Sequence, residues 1–217
     1  MKKIFALTLC SLLIVGCCCA ALAEDFAVRD EAASSHILVA YFSRVGNTDF
    51  PSDVDASSSA SIVVDNGAVM GNIGYMAAYI AETTGGDLFL IETVDKYPVS
   101  YDETLDVAAD ELAAEHRPAL VKAVENLDQY DTVFLGYPNW WGDLPPAVYA
   151  FLEQNDLNGK TVIPFASSGS SGFSGTQRTL AQLLPDATLP EGLHIAASRV
   201  PNSAETLDGW LSGLNIR

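Results

Sequence analysis

At 217 residues the chain is about the size of one domain, and its 11 basic against 28 acidic side chains give a formal net charge of −17. That balance argues against nucleic acid and against anionic lipid headgroups, both of which are held by clusters of Lys and Arg. A hydrophobic fraction of 49% with 9% aromatic residues is ample for a core, so the acidity belongs to a folded domain and not to a disordered tail.

Met1-Lys2-Lys3 precedes an uncharged apolar run, Ile4 to Gly16, too short to span a bilayer but of the length of a secretory signal core. Ala21-Leu22-Ala23 supplies a small-x-small cleavage site, so residues 1–23 are expected to be a signal peptide. Cleavage removes Lys2 and Lys3, leaving 9 basic against 28 acidic residues and a net charge of about −19. Cys10, Cys17, Cys18 and Cys19 all lie in this segment. A chain cut after Ala23 therefore has no thiol for a disulfide, a nucleophile or a metal site. A competing cut is offered by Ile14-Val15-Gly16-Cys17, which resembles a bacterial lipobox and would leave a lipid anchor at Cys17. With no Arg-Arg pair to mark twin-arginine export, the expected route is unfolded, to a periplasmic or extracellular location. Any cofactor would be acquired there, and no membrane span is expected.

Residues 24–35 are polar and rich in Ala and Ser, as in a linker, and the folded domain is expected over 36–217. His36 to Phe42 is a continuous apolar run, the mark of a strand buried on both faces of a parallel sheet. Similar runs recur at Leu88 to Glu92, Thr132 to Tyr137, Thr161 to Ala166 and Leu193 to Ala197. Between them Tyr75, Met76, Tyr79 and Ile80 recur at helical spacing before Gly85-Gly86. Further helices are expected over Thr104 to His116, from Pro118, over Pro145 to Glu153, Thr176 to Leu184 and Ala204 to Leu214. Strand and helix thus alternate five times, which predicts an α/β fold: an open parallel sheet with helices on both faces. Asp49 to Gly71 reads as an insertion bordering the site, with Ile62-Val63-Val64 as a short extra strand.

In such sheets ligands bind beyond the carboxyl ends of the strands, where the strand order reverses. After the first strand, Ser43-Arg44-Val45-Gly46-Asn47-Thr48 can turn hydroxyls and backbone N–H groups toward one oxyanion such as a phosphate, with the next helix adding its positive end. After the third, Pro138-Asn139-Trp140-Trp141-Gly142-Asp143 places two indoles in a loop too short to bury both, suggesting a flat ligand to stack on and leaving one Trp as a core lid. After the fourth, Ser167-Ser168-Gly169-Ser170-Ser171-Gly172-Phe173 has side chains small enough for its amides to face a ligand edge.

These loops together resemble those of the flavodoxins, in particular a flavodoxin-like group with exported members. Ser43 to Thr48 is similar to the family's phosphate loop, with Val45 in place of its middle threonine. Trp141-Gly142-Asp143 matches a flavin-stacking loop, and Ser167 to Phe173 falls where the second flavin loop lies. The resemblance covers Ile37 to the C-terminus and departs from the family at the 49–71 insertion. It implies a doubly wound five-stranded sheet of order 2-1-3-4-5 and a noncovalent FMN. Ser43, Gly46, Asn47 and Thr48 would hold the phosphate and Trp141 would stack on the isoalloxazine. Backbone of Gly142 and of Ser168 to Gly172 would meet N5 and the pyrimidine edge, with Gly142 free to flip at positive φ. Arg44, Val45, Pro138, Asn139, Trp140, Asp143, Ser167, Gly169 and Phe173 complete the expected site.

A thiol-free chain without a metal cluster does redox work only through a borrowed cofactor. The acidic surface favours an electron carrier steered onto a basic-surfaced redox partner. The alternatives are an NAD(P)H-dependent flavin or quinone reductase, and a binding module that kept the fold but lost FMN. Hydrolysis fits poorly, because the only histidines are His36, His116 and His194 and Gly169-Ser170-Ser171-Gly172 lacks the spacing of a nucleophile elbow. Asp49, Asp53 and Asp55 lack the glycine and terminal Glu of a helical-hand calcium loop.

Overall fold

The computed structural model describes residues 36–51, 54, 61–65, 68–214 and 216. The signal peptide, the Cys17 anchor, the linker and the side chains of Asp53 and Asp55 lie outside the described residues. Five parallel strands form the sheet: β1 (Ile37–Tyr41), β4 (Asp87–Leu90), β5 (Thr132–Pro138), β6 (Thr161–Ser168) and β7 (Leu193–Ala196). Their spatial order is β4-β1-β5-β6-β7, which is the expected 2-1-3-4-5 once the inserted hairpin is set aside.

Alternate residues along each central strand serve opposite faces. Leu38 and Ala40 of β1 with Val133, Leu135 and Tyr137 of β5 pack under α2 (Tyr101–Ala113), α3 (Pro146–Gln154) and α4 (Thr176–Leu183). Val39 and Phe134, with Ile163 and Phe165 of β6, pack under α1 (Asn72–Thr84) and α5 (Ala204–Gly213). Burial on both faces explains why the strands read as unbroken apolar runs. The two faces also force a close approach at Gly136, where a Cβ would collide with the Phe165 ring.

Helix ends follow local chemistry. Gly85 closes α1 in the left-handed region, φ +71. α2 begins at Tyr101, earlier than Thr104, because Ser100 caps it by accepting from the Glu103 N–H, with Asp102 and Glu103 in the first turn. The short helix expected from Pro118 is absent. That segment is held instead against the loop after β4, with Val94 N–H donating to Ala119 O and Val121 N–H to Glu92 O, and one 3-10 turn follows at Leu127–Gln129.

The insertion builds a hairpin. Ile62 to Val64 does form a strand, β2 (Ile62–Asp65), paired antiparallel with β3 (Ala68–Gly71), which the sequence reading missed. Ile62 sits opposite Gly71, and Ser61 O accepts from the Asn72 N–H at 2.9 Å. The hairpin therefore delivers the chain to the start of α1 at Gly71, not at Thr48.

Candidate functional site

A cleft of about 390 Å³ opens at the carboxyl ends of β1, β5 and β6, within the roughly 300–1,000 Å³ of small-molecule sites. One end is built by Ser43, Arg44, Ser61, Asn72 and Ile73. Gly71 precedes α1 with extended backbone, φ −76 and ψ 150, and packs so tightly that a Cβ there would collide with Ser43 Oγ. Ser43 thus sits at the N-terminus of a thirteen-residue helix, whose first N–H groups and dipole favour an anion. Arg44, 2% exposed, donates from Nη2 to the carbonyls of Pro98 and Val99 at 2.9 and 3.0 Å, with Phe50 against its guanidinium at 5.0 Å. Burial pushes its pKa down from the ordinary arginine value, with Tyr101 opposing. In a chain of net charge −17, no carboxylate lines this cleft among the described residues.

The other end is built by the tryptophan loop. The two indoles divide their tasks. Trp140, 8% exposed, lies edge-on to Phe42 and Tyr97, with ring centroids at 5.3 and 5.2 Å, and is the core lid. Trp141, 63% exposed at φ +53, spans the cleft mouth and donates from Nε1 to Leu105 O of α2 at 3.1 Å. Tyr101, Thr104, Leu105 and Ala108 give α2 a cleft-facing side that sequence reasoning missed.

Ser167 to Ser171 form the third wall. Ser167 Oγ is buried there without a hydrogen-bond partner. Ser168 Oγ is 2.8 Å from His194 Nε2. Asn139 ties this loop to the tryptophan loop: its Nδ2 donates to Gly172 O at 2.7 Å and to Ser174 Oγ at 3.0 Å, while its Oδ1 accepts from the Gly142 N–H at 3.0 Å. Gly142 has φ +84, as a flipping peptide requires, and its carbonyl accepts from the Gly175 N–H at 3.1 Å.

Of the residues anticipated from sequence, Ser43, Arg44, Pro138, Asn139, Trp140, Trp141, Ser167, Ser168 and Gly169 line the cleft. Gly142, Asp143, Gly172 and Phe173 do not line it. Asp143 Oδ1 accepts from Tyr149 Oη at 2.9 Å and from the Leu144 N–H. Tyr149 is pushed up to about 12, chiefly by burial and then by Asp143. Val45, Gly46, Asn47 and Thr48 do not line the cleft. Asn47 is fully buried, its Nδ2 donating to the carbonyls of Ser43 and Ile91 and its Oδ1 accepting from the Thr93 N–H and Oγ1. It braces the loop after β1 against the loop after β4. Thr48 Oγ1 is buried outside the cleft, and Lys96 Nζ donates to Gly46 O. Asn72 and Ser61 were missed, although Gly71-Asn72 repeats Gly46-Asn47 directly ahead of the helical spacing.

The sequence profile of the flavodoxins matches residues 36–213, the whole segment that builds this sheet and cleft. The chain belongs to the flavodoxin family. A search of curated proteins gives no match. Among solved structures the chain is similar to a Bacteroides eggerthii protein assigned as a flavoprotein, with 27% identity and TM-score 0.63 over 83% of this chain and 98% of that one. A Bacteroides uniformis protein assigned likewise gives 28% identity and TM-score 0.62 over 81% and 97%. A Lactobacillus acidophilus flavoprotein in complex with FMN shares the flavodoxin fold, at 17% identity and TM-score 0.51 over 76% of this chain and 96% of that one. Among the described residues, no helix is long and apolar enough to cross a membrane.

Proposed function

We propose that the chain binds FMN noncovalently in this cleft and carries electrons outside the cytoplasm, docking on a basic-surfaced redox partner. The observation that carries the reading is the cleft's polarity. A helix start with Ser43 and Arg44 lies at one end and an indole over small-residue backbone at the other, with no carboxylate between them among the described residues.

The residues present fit the cofactor. Ser43, Ser61, Asn72 and the first turn of α1 would hold the phosphate, taking the place expected of Asn47 and Thr48. Trp141 would cover the isoalloxazine, and the unpartnered Ser167 hydroxyl supplies a polar contact that the protein itself leaves unused. Bound FMN supplies one- and two-electron redox chemistry. The protein holds it, shields it through Trp140 and Trp141, and surrounds it with an acidic exterior that repels further negative charge. Export rests on the signal-like residues 1–23, and the partner on the net charge of −17.

The test is a titration of the purified protein with FMN and with riboflavin, followed by quenching of tryptophan fluorescence. Saturable FMN binding, at least tenfold tighter than riboflavin, is expected, since riboflavin lacks the phosphate. Absence of saturable binding by either flavin would refute the reading. Steady oxidation of NADPH by the flavin-loaded protein would replace the carrier with a reductase.

A further inference from the structure

Ser168 and His194 join two cavities that the proposed function uses only in part. Ser168, at the end of β6, lines the cleft and is 9% exposed. His194, on the neighbouring β7, lines a second concavity of about 490 Å³ with Ser198, Arg199, Asn202 and Thr206. The hydrogen bond between Ser168 Oγ and His194 Nε2, 2.8 Å long, is the link. The Phe173 ring stands edge-on to the imidazole, centroids 6.0 Å apart. β6 and the 169–175 loop carry no charged residue, α5 contributes uncharged Thr206 to the concavity, and the 197–202 turn contributes Arg199, the charged group that shares it.

We propose that His194 is a positioning residue that sets the direction of the hydrogen bond Ser168 offers to the cleft, so that the hold on a flavin's pyrimidine edge tightens on acidification. The proposal rests on the flavin reading above. A hydroxyl has one proton to give, and a neutral imidazole has one N–H and one bare nitrogen. While Nε2 is bare, Ser168 donates to His194 and shows the cleft only lone pairs. An imidazolium carries a proton on both nitrogens. Nε2 must then donate to Ser168 Oγ, and the serine proton turns away from the ring, toward the cleft. A pyrimidine-dione edge carries two carbonyl acceptors for one N–H donor, so a serine obliged to donate suits it better. Burial lowers the His194 pKa below the ordinary imidazole value, which places the change of direction on the acid side of about 6.5.

The test compares FMN affinity of the wild type and Ser168→Ala at pH 7.5 and pH 5.0, by tryptophan quenching, so that the ionisation of the FMN phosphate cancels at each pH. The penalty for Ser168→Ala is expected to be about threefold to tenfold larger at pH 5.0, and equal at both pH values in a His194→Gln background. A penalty that is flat or smaller at pH 5.0, or one that keeps its pH dependence in His194→Gln, overturns the proposal. If FMN fails to bind at either pH, the flavin reading fails separately. The pair is then read from proton NMR titration of His194 in flavin-free protein, where Ser168→Ala must shift the midpoint and an unshifted midpoint overturns the proposal.

Discussion

The Ser43 hydroxyl fills the space that a side chain at Gly71 would need, locking the end of β1 to the start of α1 across the inserted hairpin. Gly71 has dihedrals open to any residue, so the contact alone demands glycine there. Gly71→Ala is expected to cost about 1–3 kcal/mol by overpacking and to weaken FMN binding at least tenfold. Adding Ser43→Gly should restore the melting temperature but not the affinity. Calorimetry and flavin titration of the wild type and the two variants decide it, and full recovery of both would remove Ser43 from the site.

Asn139 Nδ2 makes two hydrogen bonds from the tryptophan loop to the Ser/Gly loop, and its Oδ1 makes a third within the tryptophan loop. Asn139→Leu removes these bonds to part-buried and exposed partners, each worth about 0.5–1.5 kcal/mol. Thermal denaturation should show a midpoint lower by about 2–8 °C, and FMN should dissociate faster because the two walls of the cleft move independently. Unchanged dissociation kinetics would show that the loops need no tie.

Adjacent tryptophans should answer oppositely to truncation. Trp140→Ala removes a buried ring packed on Phe42 and Tyr97 and is expected to cost about 3–5 kcal/mol of stability. Trp141→Ala removes an exposed ring and should cost no more than about 1 kcal/mol, through its bond to Leu105, while FMN affinity drops at least tenfold. Denaturant titration and flavin titration of both variants check the contrast. Equal stability losses would contradict the burial difference.

Asn47 is expected to be a stability residue. Its amide makes four buried hydrogen bonds, three of them to the loop after β4, and Asn47→Leu should cost about 2–4 kcal/mol. At a temperature where the variant stays folded, the preference for FMN over riboflavin should persist. Loss of that preference alone would return Asn47 to the phosphate.

Glu111 accepts a hydrogen bond from Tyr97 Oη at 2.9 Å. Burial raises its carboxyl pKa above the ordinary value, with the Tyr97 bond and His116 opposing. A carboxyl whose folded pKa exceeds its unfolded pKa favours the fold below the unfolded pKa, and that advantage is lost as pH rises through the folded value. Glu111→Gln should therefore stabilise the protein at pH 7.5 relative to the wild type and make little difference near pH 4. A stability difference independent of pH, measured by denaturant unfolding, would contradict the burial effect.

The strands and the helices between them were legible in the sequence, because strands covered on both faces must be apolar throughout and the helices carry their own period and caps, whereas the strand order followed from the resemblance of the loops to the flavodoxins. Val39 and Phe134 face one helical layer while Leu38 and Val133 face the other, yet both sets contribute to a single readable run. The loops that make the cleft were equally visible as glycine, serine and tryptophan clusters. Tertiary structure decided what those clusters do. Trp140 and Trp141 are chemically identical neighbours, and only the position of Phe42 and Tyr97 selects which one is buried. Gly46-Asn47 and Gly71-Asn72 are the same dipeptide. The first is consumed by Ile91 and Thr93, whereas the second opens a helix because the hairpin's pairing sets Ser61 and Gly71 beside Ser43. Local sequence encodes conformational preference and burial. It does not encode which distant segment arrives to take up a hydrogen bond or fill a space, and the Ser43 end of this cleft was decided by such arrivals.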